Sequence, residues 1–295
     1  MNNMKRFLVT GSKGQVGHYV VQKLTGKAEL LAVSHDELDI TDESAVKKIV
    51  ENFRPNAIIN AAAYTSVDSA EKDIARCEAV NTKGAGMLAN AAQQIDALIL
   101  HISTDYIFNG KHNDYYKETD QPDPQNVYGR TKLAGETAVR QANPKSIILR
   151  TAWVFGEHGN NFVKTMLRLG KERAELGIVA DQIGGPTYAG DIAAALIKIA
   201  FDILNGKTDA FGIYHFSGQP YVSWFEFART IFAEAKMQNI LENIPHLNAI
   251  ATSDYPTPAK RPANSRLDLT KIQQTWGIEP SDWKKALQNL KAYAE

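Results

Sequence analysis

The chain has 295 residues, enough to bury one large core or two smaller ones. Its 33 Lys and Arg balance 33 Asp and Glu, so no overall field calls for nucleic acid or an acidic membrane surface as a partner. The single cysteine, Cys77, cannot close an internal disulfide, and no apolar run is long enough to cross a bilayer. With too few apolar residues after Lys5 and Arg6 for a signal-peptide core, a reducing, cytoplasmic setting is expected.

Residues 7–10 read as a short buried strand. It runs into Gly11-Ser12-Lys13-Gly14-Gln15-Val16-Gly17, and Val20, Val21 and Leu24 then mark a helix over 16–24. Strand, glycine turn and helix together are the setting in which a glycine motif binds phosphate, because backbone N–H groups and the helix dipole converge there. Gly11 permits the tight turn, Gly14 leaves room for a pyrophosphate, and Gly17 lets the helix pack closely. A merely flexible turn is the alternative.

Further strands are expected at 30–34, 57–60, 98–103 and 146–151, with helices at 43–53, 74–94 and 128–141. Cys77 falls within an Ala-rich helical stretch and reads as packing. Pro122 and Pro124 form a loop, and Asn126 is a good N-cap for the helix that follows. Repeated strand–helix alternation implies an α/β, Rossmann-like, doubly wound parallel sheet covered on both faces, with ligands at the carboxyl ends of its strands.

Tyr128 and Lys132 lie four residues apart, one helical turn from each other. A phenol ordinarily titrates near 10, and a fixed ammonium beside it favours the phenolate. Such a pair can move a proton to or from a carbonyl or alcohol oxygen. It can also be no more than a packed ring beside a solvated charge. After residue 155 the alternation loosens. Helices are expected at 161–169, 191–204 and 223–235, a Pro-, Ser- and Thr-rich loop at 251–262, and a final helix at 281–293.

The spacing G-x-x-G-x-x-G, combined with Tyr128-x-x-x-Lys132, resembles the short-chain dehydrogenase/reductase superfamily in its extended form. Further motifs follow in order. Asn60-Ala61-Ala62-Ala63-Tyr64-Thr65 comes after one strand, and Ser103-Thr104-Asp105-Tyr106-Ile107-Phe108 after another. Arg150-Thr151-Ala152-Trp153 ends a third, before Asp181-Gln182-Ile183-Gly184-Gly185-Pro186-Thr187 and Arg261-Pro262-Ala263-Asn264-Ser265-Arg266. Nearly the whole chain is similar to the family of dTDP-4-dehydrorhamnose reductases.

That resemblance implies hydride transfer from NADPH or NADH to the C4 ketone of a dTDP-linked 4-keto-6-deoxyhexose. Its catalytic set is Thr104, Tyr128 and Lys132, with Tyr128 as proton donor and Lys132 also holding the nicotinamide ribose. Cofactor contacts are implied at Gly11, Ser12, Lys13, Gly14, Gln15, Val16, Gly17, Asp39, Ile40, Ala61, Ala62 and Ala63, besides Tyr128 and Lys132. Asp39 and Ile40 are placed at the adenine, although Asp39 can instead serve the start of the following helix. Substrate contacts are implied at Thr65, Val67, Thr104, Asp105, Tyr106, Phe108 and Trp153, with Arg261 and Arg266 at the diphosphate. Ser103 is an alternative hydroxyl, but strand alternation turns it away from Thr104.

The division implied is a dinucleotide-binding domain over 1–155, to which parts of 187–218 return. Most of 156–295 then forms a smaller, discontinuous α+β substrate domain. Asp36, near the end of the second strand, favours NADH, whereas Lys13 can pair with a 2′-phosphate. NADPH is weakly favoured, with NADH also used. Some relatives carry a magnesium ion at a dimer interface, but Gly190 stands where one acidic ligand is expected. No metal is therefore expected, and the assembly is a monomer or homodimer. Related dehydratases carry Asp-Glu after the active-site Thr, and this chain has Asp105-Tyr106. A non-catalytic regulatory subunit of the methionine adenosyltransferase type, or a reductase of another nucleotide sugar, remain the other readings.

Overall fold

The computed structural model describes residues 4–208 and 210–293. The first half runs β1 (Arg6–Thr10), α1 (Gln15–Leu24), β2 (Glu29–Val33), α2 (Glu43–Phe53) and β3 (Ala57–Asn60). Short helices α3 (Val67–Ala70) and α4 (Ile74–Glu78) lead through a π-helical turn (Ala79–Gly84) into α5 (Ala85–Gln94). Then come β4 (Leu98–Thr104), α6 (Val127–Ala142) and β5 (Ser146–Thr151). The second half adds β6 (Val154–Phe155), α7 (Phe162–Glu172), β7 (Glu175–Val179), β8 (Ile183–Gly184), β9 (Thr187–Tyr188), α8 (Ala189–Leu204), β10 (Gly212–His215) and α9 (Trp224–Met237).

Six strands form one parallel sheet in the order β10-β5-β4-β3-β1-β2. Side-chain alternation sends neighbouring residues to opposite faces. Phe7, Val9, Ile59, Leu100 and Leu149 meet Val20 and Leu24 of α1 and Ile192, Leu196 and Ile199 of α8. Leu8, Ile58, Ile99 and Ile148 meet Val46 and Val50 of α2, Leu88 and Ala92 of α5, and Val139 of α6. Each such side chain contributes about 1.5–3 kcal/mol by burial, so the two faces hold the sheet and fix its strand ends. A third core, centred on Phe155, Met166, Phe227, Ile231, Phe232 and Trp283, joins α7, α9 and the C-terminal segment.

The helices begin where short polar side chains satisfy free N–H groups, each cap stabilising by about 1 kcal/mol. The Asp42 carboxylate accepts from the N–H groups of Ser44 and Ala45 at the start of α2. Asn126 accepts from Gly129 at 2.7 Å and starts α6, and Asn161 accepts from Lys164 to start α7. Ser223 and Glu226 form a capping box on α9.

Three departures from the sequence expectation have local causes. The stretch 74–94 is not one regular helix: Asn81, in the π-helical turn, accepts from Tyr64 N–H and donates to the Thr131 hydroxyl. The final helix is broken: a short helix Trp283–Ala286 passes into a 3₁₀ segment with Asn289 outside helical geometry. β7, which pairs in parallel with His246–Ile250, lacks clean apolar alternation, so it did not announce itself. Among the described residues no helix is long and apolar enough to cross a membrane.

Candidate active site

The carboxyl ends of β1, β3, β4 and β5 open into one cleft of about 870 Å³. Its lining includes Lys13, Gly14, Gln15 and Val16 from the glycine turn, Ala61 to Ala63 after β3, and Thr65 and Val67 beyond them. Thr104, Asp105 and Tyr106 enter from the end of β4, Tyr128 and Lys132 from α6, and Trp153 from the turn after β5. Residues far apart in the chain thus meet because parallel strands all end on one side of the sheet.

The glycine turn is built by close approach. Gly11 has φ +69°, and a Cβ there would lie 2.6 Å from the Ala61 and Ala62 backbone. A Cβ on Gly17 would lie 2.1 Å from the Gly11 carbonyl oxygen, so α1 packs on the turn itself. Gly14 is the N-cap of α1 and supplies no side chain to its first N–H groups. An uncapped helix end facing a cleft suits an anionic diphosphate. An adjoining cavity of about 340 Å³ is lined by Gly11, Lys13, Asp39, Ile40 and Ala61 to Ala63, and so brings together the residues expected at the adenine.

Not every implied cofactor residue reaches these cavities. Ser12 lines neither and donates its N–H to the Val33 carbonyl at 3.1 Å, while Gly17 is buried beneath the turn. Asp39 lines the smaller cavity, but one carboxylate oxygen accepts from both N–H and hydroxyl of Thr41, which holds the group below the usual carboxylate range. Lys13 and Asp36, expected to pull cofactor preference in opposite directions, form a solvent-exposed ion pair at 2.9 Å.

At the centre of the cleft, Thr104 donates to Asp105 Oδ1 at 3.0 Å and accepts from Tyr106 N–H. The Tyr106 and Tyr128 rings meet edge to face, 5.5 Å apart. That contact requires Gly129, where a Cβ would stand 2.2 Å from the Tyr106 carbonyl oxygen. Ser103 points to the other side and bonds Glu136. Behind it Arg150 binds both Glu136 oxygens, at 2.9 and 2.7 Å, in full burial.

The expected effect of Lys132 on Tyr128 is not what the geometry gives. Burial pushes the phenol above its usual value, a hydrogen bond with Thr104 opposes this, and Lys132 is not among the leading influences. The lysine stem runs back under β4, where Nζ donates to the Ile102 carbonyl at 2.6 Å and lies 3.2 Å from His101 Nε2. Burial brings the Lys132 ammonium down to about 8.

Two charged side chains in the cleft wall each have an atom with no partner in the protein, as does the Thr151 hydroxyl. Asp105 Oδ2 is one, and burial raises that carboxyl to about 6 against hydrogen bonds from Ser265 and Thr104. Arg261 Nη1 is the other, while its Nη2 pairs with Asp68 at 2.7 Å. Trp153 holds the uncommon φ of +48°, a strained setting for a bulky residue, and its ring stacks on Trp224. Trp224 and Phe162 also line the cleft, and neither carries a motif beyond ordinary helical apolar spacing. A neighbouring cavity of about 480 Å³ shares Tyr106, Trp224 and Arg261 and adds Met166, Leu169 and Ile178.

Phe108 and Arg266 do not come to the cleft. Phe108 is buried and stacks on Tyr116 at 4.2 Å, because it lies beyond the 3₁₀ turn that carries Tyr106 into the opening. Arg266 donates to the Asn264 side chain and the Asn113 carbonyl and lies over Tyr115. Asp191, next to Gly190, accepts from the Ser281 hydroxyl at 2.6 Å, and no cluster of three or more potential metal ligands occurs among the described residues. Cys77 is buried against Thr131, and burial raises its thiol.

Residues 4–294 match the family described as RmlD substrate binding domain. The chain is 58% identical over 294 residues to a dTDP-4-dehydrorhamnose reductase of Aggregatibacter actinomycetemcomitans, covering 99% of this chain and 100% of that one. The fold superposes with a TM-score of 0.89 on the crystal structure of a dTDP-4-dehydrorhamnose reductase of Bacillus anthracis in complex with NADP, at 37% identity over 97% of this chain and 98% of that one. A dTDP-4-dehydrorhamnose reductase structure from Clostridium acetobutylicum superposes equally well, with a TM-score of 0.89, at 38% identity over 96% and 97% of the two chains.

Proposed function

The chain belongs to the dTDP-4-dehydrorhamnose reductase family, and from that premise we propose that it reduces the C4 ketone of dTDP-4-dehydro-L-rhamnose to dTDP-L-rhamnose with NADPH or NADH. The observation that carries this is the meeting of Thr104, Tyr128 and Lys132 in one cleft with the uncapped start of α1. Its product is a precursor for cell-surface polysaccharide.

A reduced nicotinamide, when bound, supplies the hydride. The glycine turn and the first N–H groups of α1 hold the diphosphate, with Ala61 to Ala63 close beside the dinucleotide. Lys132 keeps a hydrogen for a ribose hydroxyl after serving the Ile102 carbonyl. Negative charge grows on the substrate carbonyl oxygen, and the Tyr128 hydroxyl gives it a proton. Burial keeps that phenol protonated through neutral pH, which suits an acid. The Thr104 hydroxyl turns from Asp105 to the same oxygen and steadies it.

The unpartnered Asp105 oxygen accepts from a sugar hydroxyl, and Arg261 Nη1 takes the diphosphate. Trp153 and Trp224 bound the sugar, and the apolar cavity by Met166 and Leu169 takes the nucleoside. In this reading 1–155, joined by β10 and α8 from within 187–218, form the dinucleotide-binding domain, and most of 156–295 forms the substrate domain. The enzyme works in the cytoplasm as a monomer or homodimer. The test is loss of NADPH absorbance with freshly generated dTDP-4-dehydro-L-rhamnose: turnover supports the assignment, and none with either nucleotide cofactor overturns it.

A further inference from the structure

Strands β4 and β5 run side by side, and on the face toward α1 their side chains pair in rungs. These are Leu100 beside Ile147, Ile102 beside Leu149, and Thr104 beside Thr151. The first two rungs are apolar and pack with α1 and α8. The third stands at the carboxyl ends of both strands, in the wall of the cleft. Adjacent strands lie about 4.8 Å apart, so the two threonines are immediate neighbours.

The two hydroxyls are not equivalent. Thr104 donates to Asp105 Oδ1 and accepts from Tyr106 N–H. Thr151 is 4% exposed, and its Oγ1 has no partner in the protein. A buried hydroxyl left unpaired costs stability that a valine of the same shape would not cost. Packing therefore gives no reason for an oxygen at this place, whereas a ligand in the cleft does. The walls narrow its class. Val16, Ile102 and Ala152 line the same cleft, and Val16 and Ile102 pack on the same side of the sheet as the apolar rungs. That setting suits a flat, uncharged ring carrying one amide. The ring meets aliphatic carbon, and the hydroxyl, which both donates and accepts, meets either end of the amide. A phosphate needs cations or helix N–H groups instead, and a sugar needs several polar partners.

We propose that the Thr151 hydroxyl binds the carboxamide of the nicotinamide ring, an inference that rests on a dinucleotide occupying this cleft. Val16 is the second residue of α1, so with the diphosphate at the first N–H groups of that helix the ring comes within one ribose's length of Val16. Lys132 on the ribose and Thr151 on the carboxamide then hold the ring at two points. Its rotation about the bond to the ribose is blocked, and a single face is presented to the substrate. Because the hydroxyl carries no charge and does not titrate near neutrality, it serves the oxidised and the reduced ring alike.

The test is calorimetric titration of the full chain with NADP⁺ and with 2′-phospho-ADP-ribose, the same molecule without its nicotinamide, together with thermal melting in the absence of either. Thr151→Val removes the hydroxyl and keeps the shape. It should weaken NADP⁺ binding roughly fivefold and leave 2′-phospho-ADP-ribose binding unchanged. It should also melt no lower than wild type, because the lost oxygen has no partner in the protein. Thr151→Ser restores the hydroxyl and should bind NADP⁺ as wild type does. Unchanged NADP⁺ affinity in Thr151→Val overturns the proposal. So does equal weakening of both ligands, which would mean that the substitution disturbs the glycine turn. A lower melting temperature, or failure of Thr151→Val to fold, would show that the hydroxyl serves the fold and also overturns it. Wild-type protein that binds neither ligand would remove the dinucleotide from the cleft altogether, a failure distinct from the others. None of these readings needs turnover, so they stand apart from the identity of the sugar substrate.

Discussion

Trp153 and Trp224 lie face to face, ring centroids 3.5 Å apart and 9° from parallel, one from the turn after β5 and the other from the first residue of α9. They join the carboxyl end of the large sheet to the third core at the cleft. Removing the outer ring should loosen the inner one, whose backbone is strained. Trp224→Ala is expected to raise KM for the sugar nucleotide about tenfold, roughly 1.4 kcal/mol, with a smaller change in kcat. Steady-state kinetics check this, and an unchanged KM would take Trp224 out of the substrate site.

Asp105 sets function against stability. Burial raises its carboxyl from an ordinary 3.8 to about 6, so the folded state binds this proton more tightly than the unfolded chain does. The protonated group fits the fold at low pH, and that advantage is lost as pH rises from about 4 through about 6; above it, the buried carboxylate costs about 3 kcal/mol. Asp105→Asn should therefore raise Tm at pH 7 while raising KM, because the amide cannot replace the unpartnered carboxylate oxygen as an acceptor. A lower Tm together with a normal KM would contradict both halves.

The Glu136–Arg150 pair is fully buried, with a 2.7 Å contact. Glu136→Gln leaves the guanidinium without its counter-charge. Urea unfolding should show a loss of roughly 3–5 kcal/mol. A loss below about 1 kcal/mol would place the pair among those that add little to stability.

Cofactor choice should turn on Lys13 and Asp36, whose exposed contact is open to exchange with a phosphate. Lys13→Met is expected to weaken NADP⁺ binding several-fold more than NAD⁺ binding in calorimetric titrations. Asp36→Asn should favour NADP⁺ by removing the competing carboxylate. Both effects should shrink as salt is raised, since the pair is solvated. Equal changes for the two cofactors would take the pair out of discrimination.

The large sheet was legible because its strands are short apolar runs with both faces buried. The residues of 57–60 and 146–151 emerged with the same bounds in the structure. The centre of the cleft was legible because Thr104, Tyr128 and Lys132 lie in contiguous motifs at a strand end and a helix start. Side-chain direction was not. Lys132 shares a helical face with Tyr128, yet its long stem delivers the nitrogen to His101 and Ile102. Phe108 belongs to the same motif as Tyr106 but faces the core, since a 3₁₀ turn intervenes. Trp224 carries no motif at all and enters the cleft only because α9 packs there.

The most direct measurement compares wild type and Tyr128→Phe in NADPH consumption with dTDP-4-dehydro-L-rhamnose, alongside NADP⁺ affinity of each. Removing one hydroxyl should lower kcat by roughly two to four orders of magnitude while leaving the dissociation constant nearly unchanged. Wild-type turnover by the phenylalanine variant would show that the proton comes from elsewhere.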